Sequence, residues 1–182
     1  MKQYLVIGLG RFGTSVAKTL YEAGENILGI DVSEELVQDR INNNILKNAI
    51  IGDASDGKIL KDIGAENFDI AFICIGDIEA SVMIALNLKE LGIKSIIAKA
   101  INKKHGKVLT KIGATEIVYP EEHMGKRIAE LTMNTDVIEH LKFTDNFVLV
   151  EVKAPSLFWN NSLIKLDVRN KYNIKFLLFI IY

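Results

Sequence analysis

Six short apolar runs punctuate the first 120 residues: Tyr4–Gly8, Asn26–Asp31, Ala49–Gly52, Ile70–Ile75, Ser95–Ala98 and Glu116–Tyr119. Each is continuous rather than alternating, as expected of a strand buried on both faces. Between them apolar residues recur at helical spacing over Phe12–Ala23, Glu34–Ile41, Lys58–Ile63, Glu79–Leu91, Lys103–Ile112 and Glu121 to about Leu141. Strand and helix alternate strictly, which predicts a parallel sheet with helices on both faces. The expected fold class is α/β: a Rossmann-like, doubly wound sheet in the order 3-2-1-4-5-6. Gly24, Gly64, Gly92 and Gly113 each stand between a helix and the next strand, where a left-handed cap needs no Cβ.

The pattern changes near residue 142. Phe143–Asn146 interrupts the helix, Phe147–Val152 reads as a strand, Ser162–Asn170 as a short helix and Ile174–Ile181 as another strand. Two parts are therefore expected, 1–142 and 143–182, the second an incomplete small α+β lobe. About forty residues of strand, helix and strand bury little core and call for a partner or a longer chain.

Composition narrows the function classes. Apolar residues make up 49% and charged residues 25%, enough for a packed core. Lys plus Arg total 22 against 23 Asp plus Glu, so no basic field attracts nucleic acid or anionic lipid. Cys74 is the sole cysteine, which rules out an internal disulfide or a multi-cysteine zinc site and fits a reducing cytoplasm. Within its apolar strand it reads as a small buried hydrophobe. Met1–Tyr4 runs straight into a strand pattern, so no signal peptide is expected. The apolar run Phe176–Tyr182 falls well short of the roughly 18 residues of a bilayer span. His105, His123 and His140 share no ligand spacing and are expected at surfaces or interfaces.

Gly8-Leu9-Gly10-Arg11-Phe12-Gly13 is a G-x-G-x-x-G that leaves the first strand and opens the first helix. In that context Gly8 permits the turn, Gly10 lets a pyrophosphate approach the backbone and Gly13 allows close packing, with phosphate resting on the helix N-terminus. Asp31 ends the second strand 21 residues after Gly10, suitably placed to accept hydrogen bonds from adenosine ribose hydroxyls and to repel a 2′-phosphate. Capping the following helix is the lesser reading of Asp31, and the two roles are compatible. Arg11 can fork onto phosphate oxygens or pair with a surface carboxylate. Asp53 and Ala54, after the third strand, can line an adenine pocket, though Asp53 also has the chemistry of a cap. Ile75 and Gly76 end the fourth strand at the switch point of the sheet. Glu121-Glu122-His123 places acid in the first turn of the sixth helix, where the helix dipole alone favours it and a cation is the less common reading. A dehydrogenase would need a substrate domain for which the chain has no room, and no nucleophile elbow, zinc-protease motif or P-loop occurs, so no enzyme is expected.

GLGRFG at 8–13, Asp31, GDAS at 52–55, ICIGDIEAS at 73–81, KAINKKHGKVLTKIGA at 99–114, YPEEHMGKRIA at 119–129 and VRNKYNI at 168–174 together resemble the RCK (TrkA-N) family, specifically the cytoplasmic regulatory subunits of Ktr/Trk potassium uptake systems. The resemblance implies a ligand-gated regulator that forms dimers and a ring of dimers, an octamer, beneath a membrane-embedded potassium-translocating subunit. It implies ATP/ADP (or AMP) or NAD(H) lying over Gly8–Gly13 with its ribose on Asp31 and its phosphates reached by Arg11. Phe12, Val32 and Lys99 complete the implied nucleotide contacts. Glu121 matches an acidic position beside the dimer interface that holds Mg2+ or Ca2+ in some members. Ile128, Leu131, Val137, Ile138 and Leu141 are the implied apolar face of a helix packed on the neighbouring subunit. The family's C-terminal lobe is longer than the segment present here, which puts a cyclic di-AMP site in doubt. An NAD-dependent oxidoreductase fragment is the alternative reading.

Overall fold

The computed structural model describes residues 2–133, 137–144, 147–152 and 154–175. Its first part alternates as the apolar pattern predicts: β1 (Gln3–Ile7), α1 (Arg11–Glu22), β2 (Asn26–Asp31), α2 (Glu34–Asn42), β3 (Ala49–Ile51) and α3 (Gly57–Asp62), then β4 (Ile70–Ile73), α4 (Ile78–Glu90), β5 (Ser95–Lys99), α5 (Lys103–Ile112), β6 (Glu116–Val118) and α6 (Pro120–Met133). The six strands form one parallel sheet in the order β3-β2-β1-β4-β5-β6.

Both faces of the sheet are covered. Tyr4 and Val6 of β1 pack with Ala17, Val37 and Leu46, while Leu5 and Ile7 pack with Leu60, Ile84, Leu88 and Leu109. The period of two along β1 thus sends alternate residues to different cores, and that is why the strands read as unbroken apolar runs. The four glycines at helix ends all have positive φ.

Contacts divide the chain into two units, Met1–His123 and Met124–Tyr182. In the second, β7 (Val137–Thr144) and β8 (Phe147–Val152) pair antiparallel. Two short helices follow, α7 (Leu163–Leu166) and α8 (Val168–Tyr172).

Two expectations are corrected here. The sixth helix ends at Met133 and not near Leu141; Val137, Ile138 and Leu141 lie in β7. Asn, Thr and Asp at 134–136 are residue types of low helix propensity, and the β-branched pair after them favours strand. The helix expected over Ser162–Asn170 is broken at Asp167, which takes φ 46° and separates α7 from α8. The strand expected over Ile174–Ile181 lies almost wholly outside the described residues. Among the described residues no helix is long and apolar enough to cross a membrane.

Candidate nucleotide site

The sheet order reverses between β1 and β4, so the chain leaves these neighbours toward opposite faces and a crevice opens at their carboxyl ends. Gly8–Gly13, Asp31, Val32, Asp53, Ala54, Ile75 and Gly76 follow β1 to β4 at this rim. Lys99 ends β5, and Glu121 lies in the first turn of α6.

The three motif glycines have different reasons to be glycine. Gly8 has φ 93°, and a Cβ there would fall 2.6 Å from Ile75 Cγ2. A Cβ on Gly13 would collide with the carbonyl oxygen of Gly8. Gly10 has an ordinary φ of −66°, and a Cβ there would meet nothing within 4 Å. Neither a positive φ nor packing requires glycine at position 10, and the loop is open there to an approach from outside. Gly76, across the crevice, also faces open space.

Gly10 is also the N-cap of α1, and it offers no side chain to the first-turn amides. Ser33, Asp56, Asp77 and Asn102 cap α2 to α5, accepting from the amides of Leu36, Lys58, Ala80 and His105. The first turn of α1 also carries no acidic residue, which leaves its amides and dipole free to meet an anion.

Asp31 is the hub of the rim. One carboxylate oxygen accepts from Leu9 N–H at 2.6 Å, the other from Ser33 N–H at 2.8 Å, and its carbonyl accepts from Gly52 N–H at 2.9 Å. The cap of α2 is Ser33, so Asp31 instead binds the glycine loop to the β2 terminus. Each carboxylate oxygen retains acceptor capacity, enough for a vicinal diol. Thr14 Oγ1 donates to Leu9 C=O at 2.6 Å and accepts from Arg40 Nε at 2.8 Å, which braces the loop from below. Thr14 and Arg40 escape a sequence reading because their pairing spans 26 positions and follows no motif.

At the next turn Ser55 donates both its hydroxyl, at 2.6 Å, and its N–H, at 2.9 Å, to Asp53 Oδ1. These bonds, the hydroxyl's first, hold the Asp53 carboxyl below its ordinary value. The cap of α3 is Asp56, and Asp53 closes its own turn. Asn87 Nδ2 donates to Ser55 C=O at 2.9 Å, tying this turn to α4. A shallow cleft beside it is lined by Ser55, Asp77, Glu79, Ala80 and Met83.

Lys99 Nζ bonds Glu121 Oε1 at 2.6 Å, with the lysine side chain 15% exposed and the glutamate 68%. That bond, then Glu121's own backbone N–H, holds the carboxyl below its usual range, with Arg11 adding a smaller attraction. Next to this pair Lys103 Nζ lies 3.0 Å from Glu122 and 4.0 Å from the centroid of the Tyr119 ring. Among the described residues no three His, Cys, Asp or Glu side chains gather as a metal site.

Cys74 is buried, and burial pushes its thiol up to about 12, far from a reactive thiolate. His105 corrects the expectation of a surface histidine: it is 3% exposed, on the face of α5 that carries Leu109, with Nε2 2.9 Å from Ser81 Oγ of α4. His123 is exposed, and the side chain of His140 lies outside the described residues.

The TrkA-N domain profile matches residues 4–120. Ktr system potassium uptake protein C of Bacillus subtilis is 44% identical over 95% of this chain and 78% of its own. Ktr system potassium uptake protein A of the same organism is 40% identical over 94% and 77%. Among solved structures, the GsuK channel bound to NAD superposes with a TM-score of 0.62 at 12% identity, over 80% of this chain and 26% of the channel chain. That likeness speaks for the fold.

Proposed function

The chain belongs to the TrkA-N domain family, and from that premise we propose that it is a nucleotide-sensing regulatory subunit of a potassium uptake system. The observation that carries the nucleotide is the glycine at position 10. The fold does not require it, it lies over an uncapped helix N-terminus, and Asp31 stands beside it as a ready diol acceptor. An adenine nucleotide, ATP/ADP, AMP or NAD(H), answers that chemistry: phosphates over Gly10 and the α1 amides, ribose on Asp31. Arg11 and Lys99 supply cations to the phosphate chain, and Phe12, Val32, Asp53, Ala54, Ile75 and Gly76 line its length.

In this reading the nucleotide acts through the difference in its affinity for two arrangements of an assembly. The partners are further copies of the chain, as a homodimer and a ring of dimers, and a membrane-embedded potassium-translocating subunit at the cytoplasmic face. Residues 1–142 carry the nucleotide in this reading, and 143–182 belong to a second lobe. Relatives named as potassium uptake proteins favour regulation over the oxidoreductase alternative. Glu121, bound to an ammonium, does not by itself suit Mg2+ or Ca2+, which surround themselves with oxygen ligands, so no step runs through a cation.

Calorimetric affinities for ATP, ADP, AMP, NAD+, NADH and NADPH test the reading. Wild type binds the first five and discriminates against the 2′-phosphate of NADPH. Asp31→Asn weakens the five by about tenfold or more, the range for hydrogen bonds to a charged group, while narrowing the NADH-to-NADPH ratio. Equal, weak binding of all six ligands overturns the nucleotide site. An unchanged ratio in the variant restricts Asp31 to bracing the loop.

A further inference from the structure

We propose that Thr14 and Arg40 are positioning residues of the nucleotide site: through them α2 sets the two peptide units around Gly10, so that the amides of Gly10 and Arg11 face an incoming phosphate. The inference rests on the nucleotide reading above and adds to it the part of the fold that prepares those amides.

Thr14 holds two consecutive carbonyls. Its hydroxyl donates to Leu9 C=O at 2.6 Å, and its N–H donates to Gly10 C=O at 2.8 Å. A trans peptide unit is planar, with the C=O and the following N–H pointing in opposite directions. Fixing the Leu9 carbonyl on Thr14 therefore turns the Gly10 N–H away from α1, and fixing the Gly10 carbonyl does the same for Arg11. On the other side Leu9 N–H is held by Asp31 at 2.6 Å. Among the described residues neither the Gly10 nor the Arg11 N–H meets an acceptor.

The hydroxyl bond is not the default for a helical threonine. Thr19, Thr110 and Thr132 each donate to the carbonyl four residues back. Thr14 instead reaches five residues back, out of α1 and into the glycine loop. Arg40 gives it that direction. A guanidinium only donates, so Thr14 Oγ1, which accepts from Arg40 Nε at 2.8 Å, must send its single proton elsewhere, and Leu9 C=O receives it. Arg40 Nη1 also bonds the Asp39 carboxylate, which balances its charge. Arg40 thus acts on the phosphate site by orientation, through Thr14, and not by long-range attraction.

Amide hydrogen exchange and affinities for adenosine, ADP and ATP test this on the whole chain. The variants are Thr14→Val, Thr14→Ser, Arg40→Gln and Thr14→Val with Arg40→Gln, each checked by thermal melting. In wild type the Gly10 and Arg11 amides are expected to exchange freely without ligand and to be protected by ATP but not by adenosine. Thr14→Val is expected to weaken ADP and ATP by about tenfold, the range for a hydrogen bond removed with its acceptor left unpaired, and adenosine by less than about twofold. Thr14→Ser is expected to keep phosphate binding. Arg40→Gln is expected to follow Thr14→Val more weakly and to add nothing in the Thr14→Val background. Equal losses for adenosine and ATP, no loss in Thr14→Val, or an Arg40→Gln loss that persists in the double variant would overturn the positioning role while leaving the nucleotide site standing. So would Gly10 and Arg11 amides that ATP leaves unprotected, a result that needs no variant to fold. A wild-type chain that binds neither ADP nor ATP removes both together.

Discussion

At the scale of single residues, Gly8, Gly10 and Gly13 look equivalent in the motif, and the structure gives each a different cause. Gly13 is held by the carbonyl oxygen of Gly8, a backbone atom that cannot move aside without reshaping the loop. Gly10 is held by nothing in the chain. Gly13→Ala should therefore cost about 3 kcal/mol of stability or fail to fold, as overpacking against backbone does. Gly10→Ala should stay within about 1 kcal/mol, because its φ suits alanine and the loss of a good N-cap residue is offset by a stiffer unfolded chain. Yet Gly10→Ala should lose adenine nucleotides by more than about tenfold, since the new methyl group occupies the closest approach of the phosphates. Urea unfolding and calorimetry on both variants separate the two effects. A Gly10→Ala protein that binds like wild type would take from the site its main support. The sequence showed where the motif lies, since strand, turn and helix follow one another locally. It could not show that Gly10 alone is spare, because that depends on what Ile75, Cys74 and Gly8 leave unfilled.

At the scale of elements, α4 and α5 are joined by a buried polar chain. Ile101 N–H donates to His105 Nδ1 at a long 3.4 Å, which leaves the proton on Nε2 to donate to Ser81 Oγ, and the Ser81 hydroxyl donates to Ile78 C=O at 2.9 Å. Every role is filled only while the ring is neutral: a second proton at Nδ1 would face the Ile101 N–H. Burial accordingly lowers the His105 pKa from its ordinary 6.5. Above 6.5 folded and unfolded chains both carry neutral His105, and its contribution is complete. As pH falls below 6.5 the unfolded chain takes up a proton that the folded chain refuses, so stability declines by up to about 1.4 kcal/mol per pH unit until the lower folded value is reached. Denaturation between pH 7.5 and about 5 should show this slope in wild type and a flatter one in His105→Gln; identical slopes would mean that the ring accepts its proton in place. Asp53 and Glu121 are lowered from ordinary carboxyl values, so their contributions are complete above those ordinary values and fade only as pH falls below them. His105 also shows the limit of reading elements from sequence. Its spacing to Leu109 and Ile112 puts it on the inward face of α5, but only Ser81, 24 positions away, makes burial affordable. The six strands were legible because both of their faces are buried and their runs are unbroken. The end of α6 was not, because Val137, Ile138 and Leu141 fit a helical stripe and also the alternation of a strand, and what decides is the pairing of β7 with β8 across the chain.

At the scale of the whole molecule, the buried apolar side chains among the described residues fall almost wholly in the first unit. The first holds both cores, whereas Val168 is the one buried apolar residue among those described in 154–175. In α6 no residue is buried, and Met124 and Ile128, one helical turn apart, are 54% and 57% exposed. A helix with an apolar pair in water is satisfied by a second copy of the chain, as the proposed dimer requires. Covering two such side chains is worth about 3 kcal/mol, which is more than a hundredfold in a dissociation constant. Met124→Glu combined with Ile128→Glu removes that contribution and sets like charges against each other across the contact. Since both positions are exposed in the single chain, its folding should be little changed. Sedimentation velocity at micromolar concentration should find wild type associated and the double variant shifted to monomer, with the melting transition preserved. ATP affinity measured on that monomer then divides the ligand's contacts: what is retained belongs to Gly10, Asp31 and their own chain, and what is lost belongs to the neighbour. A wild-type chain that stays monomeric at such concentrations would remove the ring, and with it the means by which nucleotide binding could act on a potassium-translocating subunit.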